Sequence, residues 1–181
     1  MIAMRKIIFF ILGISVFFCG CGYTTHSALP SNRRSVYVED FVNKVRITAE
    51  TSNRRSYYPY KPGMETEITR AIIDRFIFDG IYQIKDSQNA CFILKGQLVD
   101  YMAQPLEYDS NDNVTQYRLR VIVNIQLYQN ETAELVWQEK RFAGEAAYRK
   151  EGAYSETEDT AMDEAIEDLA RRVVERTVEN W

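Results

Sequence analysis

The chain has 181 residues, 46% of them hydrophobic, with 22 Lys+Arg against 26 Asp+Glu and a formal net charge of −4. That length suits one domain, and a mildly acidic chain whose basic runs never exceed a pair is a poor match for nucleic acid. The one histidine, His26, lies in a polar, aperiodic N-terminal tether, so neither a Ser-His-Asp relay nor a His-rich metal site can be assembled within a rigid core.

The N-terminal stretch places Arg5 and Lys6 before twelve apolar or small residues, 7–18. A charged start followed by a short apolar run is the pattern of a secretory signal peptide, and the run is too short to span a bilayer comfortably. Phe18 is not small, which disfavours cleavage by ordinary signal peptidase. The residues "FCGC", 18–21, instead resemble a bacterial lipobox, in which cleavage falls just before a cysteine that carries diacylglycerol. Cys19 is disfavoured as the acceptor because bulky Phe18 would precede it, whereas Cys21 follows Gly20 and is the candidate lipidated residue. The competing reading is a plain signal peptide or uncleaved anchor with two incidental cysteines. The expected organisation is a lipoprotein signal peptide over 1–20, a lipidated tether over 21–35 and one domain over 36–181. Removing 20 residues leaves 161, and losing Arg5 and Lys6 leaves 20 basic residues against 26 acids, a net charge near −6. Cys91 would then be the one free thiol, so no disulfide within the chain is possible.

Residues 22–35 are small, polar and aperiodic, as a tether requires. "VYVEDF", 36–41, is rich in β-formers and predicts a first strand. The segment 42–62 lacks a sustained period and reads as an exposed functional loop. Within it "SNRRSYYPYKP", 52–62, joins arginines and tyrosines, the residue types most often responsible for interface energy. Tyr57, Tyr58 and Tyr60 are therefore candidate partner-binding residues. Gly63 then opens a helix whose apolar positions Met64, Ile68, Ala71, Ile72 and Phe76 recur at three- and four-residue spacing, and Asp79-Gly80 ends it.

A strand is predicted over 91–102, with Gly96 marking a bulge or a close approach of another backbone. A polar link over 104–116 leads to the cleanest alternation in the chain: Leu119, Val121, Val123, Ile125 and Leu127 on one face, Arg118, Arg120, Asn124 and Gln126 on the other. A further antiparallel strand over 135–142 and a loop of small residues precede the last helix. That helix carries a capping-box pattern, Ser155 with Glu158, and an apolar stripe of Met162, Ala165, Ile166, Leu169, Val173, Val174 and Val178. Glu167 with Arg171 and Asp168 with Arg172 are candidate i,i+4 pairs. The expected class is α+β: a single mixed or antiparallel sheet of about four strands, two helices on one face, order β-α-β-β-β-α.

Enzyme constellations are scarce, and no Gly-rich phosphate loop of usual spacing occurs. The acids of "EYDSND", 107–112, belong to a loop with no obvious rigid support, which weakens both a hydrolase and a cation site there. Nothing near Cys91 in sequence would lower its pKa, so it reads as a small buried hydrophobe. Neither a metal nor a cofactor is called for, and the chain reads as no enzyme.

Taken together, "CGYTT" after the lipobox, "LP" at 29–30, "VYVEDFVN" at 36–43, a helix ending "FDG", "LKGQLVDYMAQPLEYD", "QYRLRVIVNIQL", Trp137 in the next strand and a long last helix resemble the LptE lipoproteins over nearly the whole mature chain. One departure is "QNETAEL", where the hairpin before the tryptophan strand lacks an expected glycine. The resemblance implies a helper without chemistry of its own, a plug inside an LptD-like outer-membrane β-barrel that assists delivery of lipopolysaccharide to the outer leaflet. It also implies an outer-membrane location with a lipid anchor in the periplasmic leaflet, and Gly22 in place of an aspartate after Cys21 agrees with that sorting. Independently of the family, Arg118 and Arg120 on a polar sheet face are candidates to meet lipopolysaccharide phosphates through charge-assisted hydrogen bonds; the competing reading is a solvated or barrel-contacting face. The alternative function is an envelope or secretion scaffold that binds periplasmic proteins and never meets lipopolysaccharide.

Overall fold

The computed structural model describes residues 35–45, 61–152 and 155–179. Two short strands, β1 (Ser35–Val38) and β2 (Val42–Asn43), are followed by helix α1 (Met64–Asp79) and the two-residue strand β3 (Gln83–Ile84). Three long strands, β4 (Phe92–Tyr108), β5 (Val114–Gln129) and β6 (Leu135–Arg149), precede helix α2 (Glu158–Glu179). The class is α+β with a mixed sheet, as expected, but the sheet has six strands in the order β3-β1-β4-β5-β6, with β2 also paired to β4. β1 and β2 run parallel to β4 along the same side of it, while β4, β5 and β6 are antiparallel neighbours. The additional strands β2 and β3 are two residues each, below the length at which alternation can be recognised.

The five apolar residues singled out on β5 are each fully buried. They form one cluster with Met64, Ile68, Ile72 and Phe76 of α1 and with Ile166, Leu169 and Val173 of α2. Each such side chain contributes about 1.5–3 kcal/mol by leaving water. α2 comes so close to the sheet that a Cβ on Gly144 would lie 2.2 Å from the Ala165 carbonyl oxygen and 2.5 Å from Leu169. Gly80 closes α1 in the left-handed region at φ 71°, its N–H donating to the Phe76 carbonyl at 3.0 Å. That is the expected C-terminal glycine cap.

Several local expectations are corrected. The polar link at 104–116 is the end of a long hairpin, since β4 continues through Pro105 to Tyr108 and β5 starts at Val114. The segment after Phe142 is strand as far as Arg149. Small residues suit it because Gly144 must admit α2 and Ala143 packs against Ile122. Gly96 makes room for a side chain and not a backbone: a Cβ there would lie 2.0 Å from the Phe41 ring. The partial alternation of β4 comes from a register shift between Leu98 and Asp100, which returns Tyr101 to the buried side. Thr157, not Ser155, caps α2, its hydroxyl accepting the Thr160 N–H at 3.1 Å. Arg171 pairs with Asp168 and Glu175 in place of Glu167, whereas the expected pair of Arg172 with Asp168 is present at 3.9 Å. The hairpin without glycine turns through Ala133 at φ 55°.

Candidate functional site

Alternation along β5 turns Arg118 and Arg120 to the sheet face opposite the helices. On β6, Ala147 is in register with Arg118 and Glu145 with Arg120. The single Glu145 carboxylate stands between both guanidinium groups, 2.8 Å from Arg120 Nε and 3.7 Å from Arg118 Nε. Arg120 Nε is covered from solvent and makes no hydrogen bond, so the closer contact is an ion pair without an aligned N–H. Two guanidiniums against one carboxylate leave the cluster with an excess positive charge. Arg118 keeps 47% of its side-chain surface exposed, so one end of the cluster remains open to an incoming anion.

Beside these arginines on the same face, Met102, Ile122 and Ala143 form a second, small apolar cluster with Val99 packed against it. Ile122 is 2% exposed, so this is a packed floor and not an open groove. A cross-strand ion pair adjoins it: Arg141 with Asp100, the register partner of Ile122, at 3.3 Å. The functional neighbour that sequence reading missed is Glu145. No signal in the sequence could have found it, because a register shift between Val123 and Ile125 breaks the alternation of β6 before Phe142.

Cys21, Tyr57, Tyr58 and Tyr60 lie outside the described residues. The hairpin tip does not gather a cation site; among the described residues no group of three His, Cys, Asp or Glu side chains is placed to hold a metal ion. Asp109 is committed to the turn, accepting the backbone N–H groups of Asn111 at 2.8 Å and Asn113 at 2.9 Å and the Asn113 side-chain amide at 3.0 Å. The Asn113 amide, aided by those backbone groups, holds the Asp109 carboxyl below its ordinary pKa. Cys91 is half-buried, and its backbone N–H donates to the Ser35 hydroxyl at 3.0 Å.

At the opposite side of the core, the Tyr101 hydroxyl donates to Glu158 at 2.9 Å and ties β4 to the start of α2. Burial raises the Glu158 pKa; the Tyr101 hydrogen bond opposes that shift and the neighbouring Asp159 charge adds to it. No described helix is long and apolar enough to cross a membrane.

The fold is similar to that of a protein from Xanthomonas campestris, at TM-score 0.54 and 10% identity, covering 86% of this chain and 90% of that one. It is also similar to a hypothetical protein from Chlamydia trachomatis, at TM-score 0.51 and 12% identity, covering 80% and 95%. At such identities the likeness concerns the fold alone. No curated protein matches the sequence. The family model for LptE, lipopolysaccharide-assembly, matches residues 34–177. That span takes in every described strand and nearly all of α2, so the chain belongs to the LptE lipopolysaccharide-assembly family.

Proposed function

We propose that this protein is a non-enzymatic outer-membrane lipoprotein, anchored through Cys21, that seats in an LptD-like β-barrel and assists passage of lipopolysaccharide to the outer leaflet. Family membership supports the general role. The observation that carries the glycolipid contact is the Arg118–Glu145–Arg120 cluster beside the Met102–Ile122–Ala143 floor. A phosphate bound there would exchange the single shared carboxylate for a doubly charged acceptor. Such contacts favour guanidinium because its planar fork meets phosphate oxygens in pairs.

The test is purification of the tagged full-length chain in detergent, with mass identification of what accompanies it. A one-to-one complex with an outer-membrane barrel is the expected result. Recovery of soluble periplasmic proteins alone would favour the scaffold reading. Within a recovered complex, Arg118→Glu with Arg120→Glu should lower the bound lipopolysaccharide while leaving barrel recovery unchanged. Unaltered lipopolysaccharide content would remove these arginines from the mechanism.

A further inference from the structure

We propose that the end of the domain carrying Ile77 and Phe78 rests in the headgroup layer of a phospholipid bilayer, an inference that relies on the lipid-anchor reading above. Ile77 is 63% exposed and Phe78 is 82% exposed. They are consecutive residues in the last turn of α1, and no other large hydrophobic residue among those described is as open to water. The same helix buries Ile68, Ile72 and Phe76 completely, so an apolar pair on its outer side is not explained by the core.

Chain topology decides what faces that pair. α1 ends at Asp79, and Gln83, four residues on, pairs with Ser35 in the register of β1 and β3. The C-terminal end of α1 and the point where the chain enters the fold therefore lie at one end of the molecule. Ser35 is held there, 1% exposed, with its hydroxyl accepting the Cys91 N–H. A lipid on Cys21 would be joined to Ser35 by 14 residue steps, which span at most about 50 Å even when fully extended. The half-exposed Leu135 is at the same end, because β6 starts beside Tyr128 near the close of β5.

The opposite end is far from that layer. β4 starts at Phe92, paired with Val36, and runs 17 residues to Tyr108, a length of about 55 Å. The exposed Leu106 and Tyr108 on the distal hairpin flank Glu107, which is paired with Arg149.

The chemistry at the near end suits an interface between water and acyl chains. The Arg75 guanidinium lies 5.3 Å from the Phe78 ring centroid, an arrangement that lets a long cationic side chain stay among phosphates while apolar neighbours sit lower. Asp74 and Asp79 accompany Arg75 in the last two turns, so net charge supplies little attraction. Apolar contact, reinforced by the anchor, would carry the association.

The experiment uses the full-length chain in cells, with Phe78 or Tyr108 replaced by the photoreactive analogue p-benzoylphenylalanine. Both positions are exposed, so either replacement leaves the core intact. Fatty-acid labelling of the same preparations reads the anchor separately: an unlabelled chain would sink the anchor reading whatever the crosslinks show. After irradiation, a phospholipid-mass adduct at 78 and its absence at 108 is the expected result. A protein adduct at 78 in place of lipid, equal lipid adducts at both positions, or no adduct at 78 would each overturn the proposal.

Discussion

The Asp168 carboxylate on α2 accepts the backbone N–H of Glu145 on β6 at 3.1 Å. Two residues earlier on the strand, the Ala143 carbonyl accepts a hydrogen bond from the Arg172 guanidinium, one turn further along the same helix. β6 is the last strand of the sheet, and an edge left open invites pairing with another chain. Here helix side chains complete it. Asp168→Ala would leave a partly buried N–H without its acceptor, at a cost of about 1–3 kcal/mol. Denaturant titration should show that loss, with a greater tendency to self-associate, whereas Glu175→Ala should cost under about 0.5 kcal/mol because it removes only an exposed pair. Equal effects from both substitutions would contradict the edge-capping role.

Gly96 and Phe41 form a matched pair, and their energies should not add. Phe41 is held in place by its backbone N–H, which donates to Thr69 Oγ1 at 3.0 Å, so its ring cannot withdraw without disturbing α1. Gly96→Ala is expected to cost about 1–3 kcal/mol through overpacking. In the Phe41→Ala background the same change should cost markedly less, a coupling that a double-mutant cycle detects. Strict additivity would mean that the ring does not occupy the space above Gly96.

The contact between Glu158 and Tyr101 makes a signed pH prediction. Burial raises the Glu158 pKa, so the native state binds this proton more tightly than the unfolded chain does. Its contribution is therefore most favourable below the ordinary carboxylate pKa, declines as pH rises through the raised folded value, and stays lower above it. Glu158→Gln keeps an acceptor for the Tyr101 hydroxyl and should flatten that part of the stability profile. Tyr101→Phe removes the hydrogen bond that opposes the shift and should steepen it. Profiles of thermal midpoint against pH that remain parallel for all three proteins would discount this group.

Cys21 is expected to carry the lipid. Cys21→Ala should abolish metabolic incorporation of fatty acid and leave an unprocessed precursor, while Cys19→Ala should incorporate label normally. Label retained in Cys21→Ala and lost in Cys19→Ala would move the anchor two residues upstream.

The tyrosines of the 52–62 segment are expected to serve the barrel partner. Replacing Tyr57, Tyr58 and Tyr60 together with Ser should weaken co-purification of the barrel and leave the circular dichroism spectrum and melting point unchanged, as a role confined to the interface requires. Wild-type recovery of the barrel through the same detergent and salt washes would make the segment a bystander.

The sequence by itself determined the elements whose apolar spacing is long and regular. The stripe of α1, the stripe of α2 and the alternation of β5 were all legible, because burial on one side imposes a period of 3.6 or 2 over many residues. Gly80 was legible for a local reason, since a helix ending in the left-handed region favours a residue without a Cβ. Tertiary structure alone decided the remainder. β2 and β3 exist only because β4 and β1 offer them hydrogen-bonding partners. The hairpin beyond Gln104 is strand although its residues from 104 to 108 are all exposed, so no burial pattern announces it. The purposes of Gly96 and Gly144 depend on a ring and a helix that arrive from distant parts of the chain. The pairing of Arg118 and Arg120 with Glu145 is likewise a matter of register, joining residues 25 or more positions apart that no local rule connects.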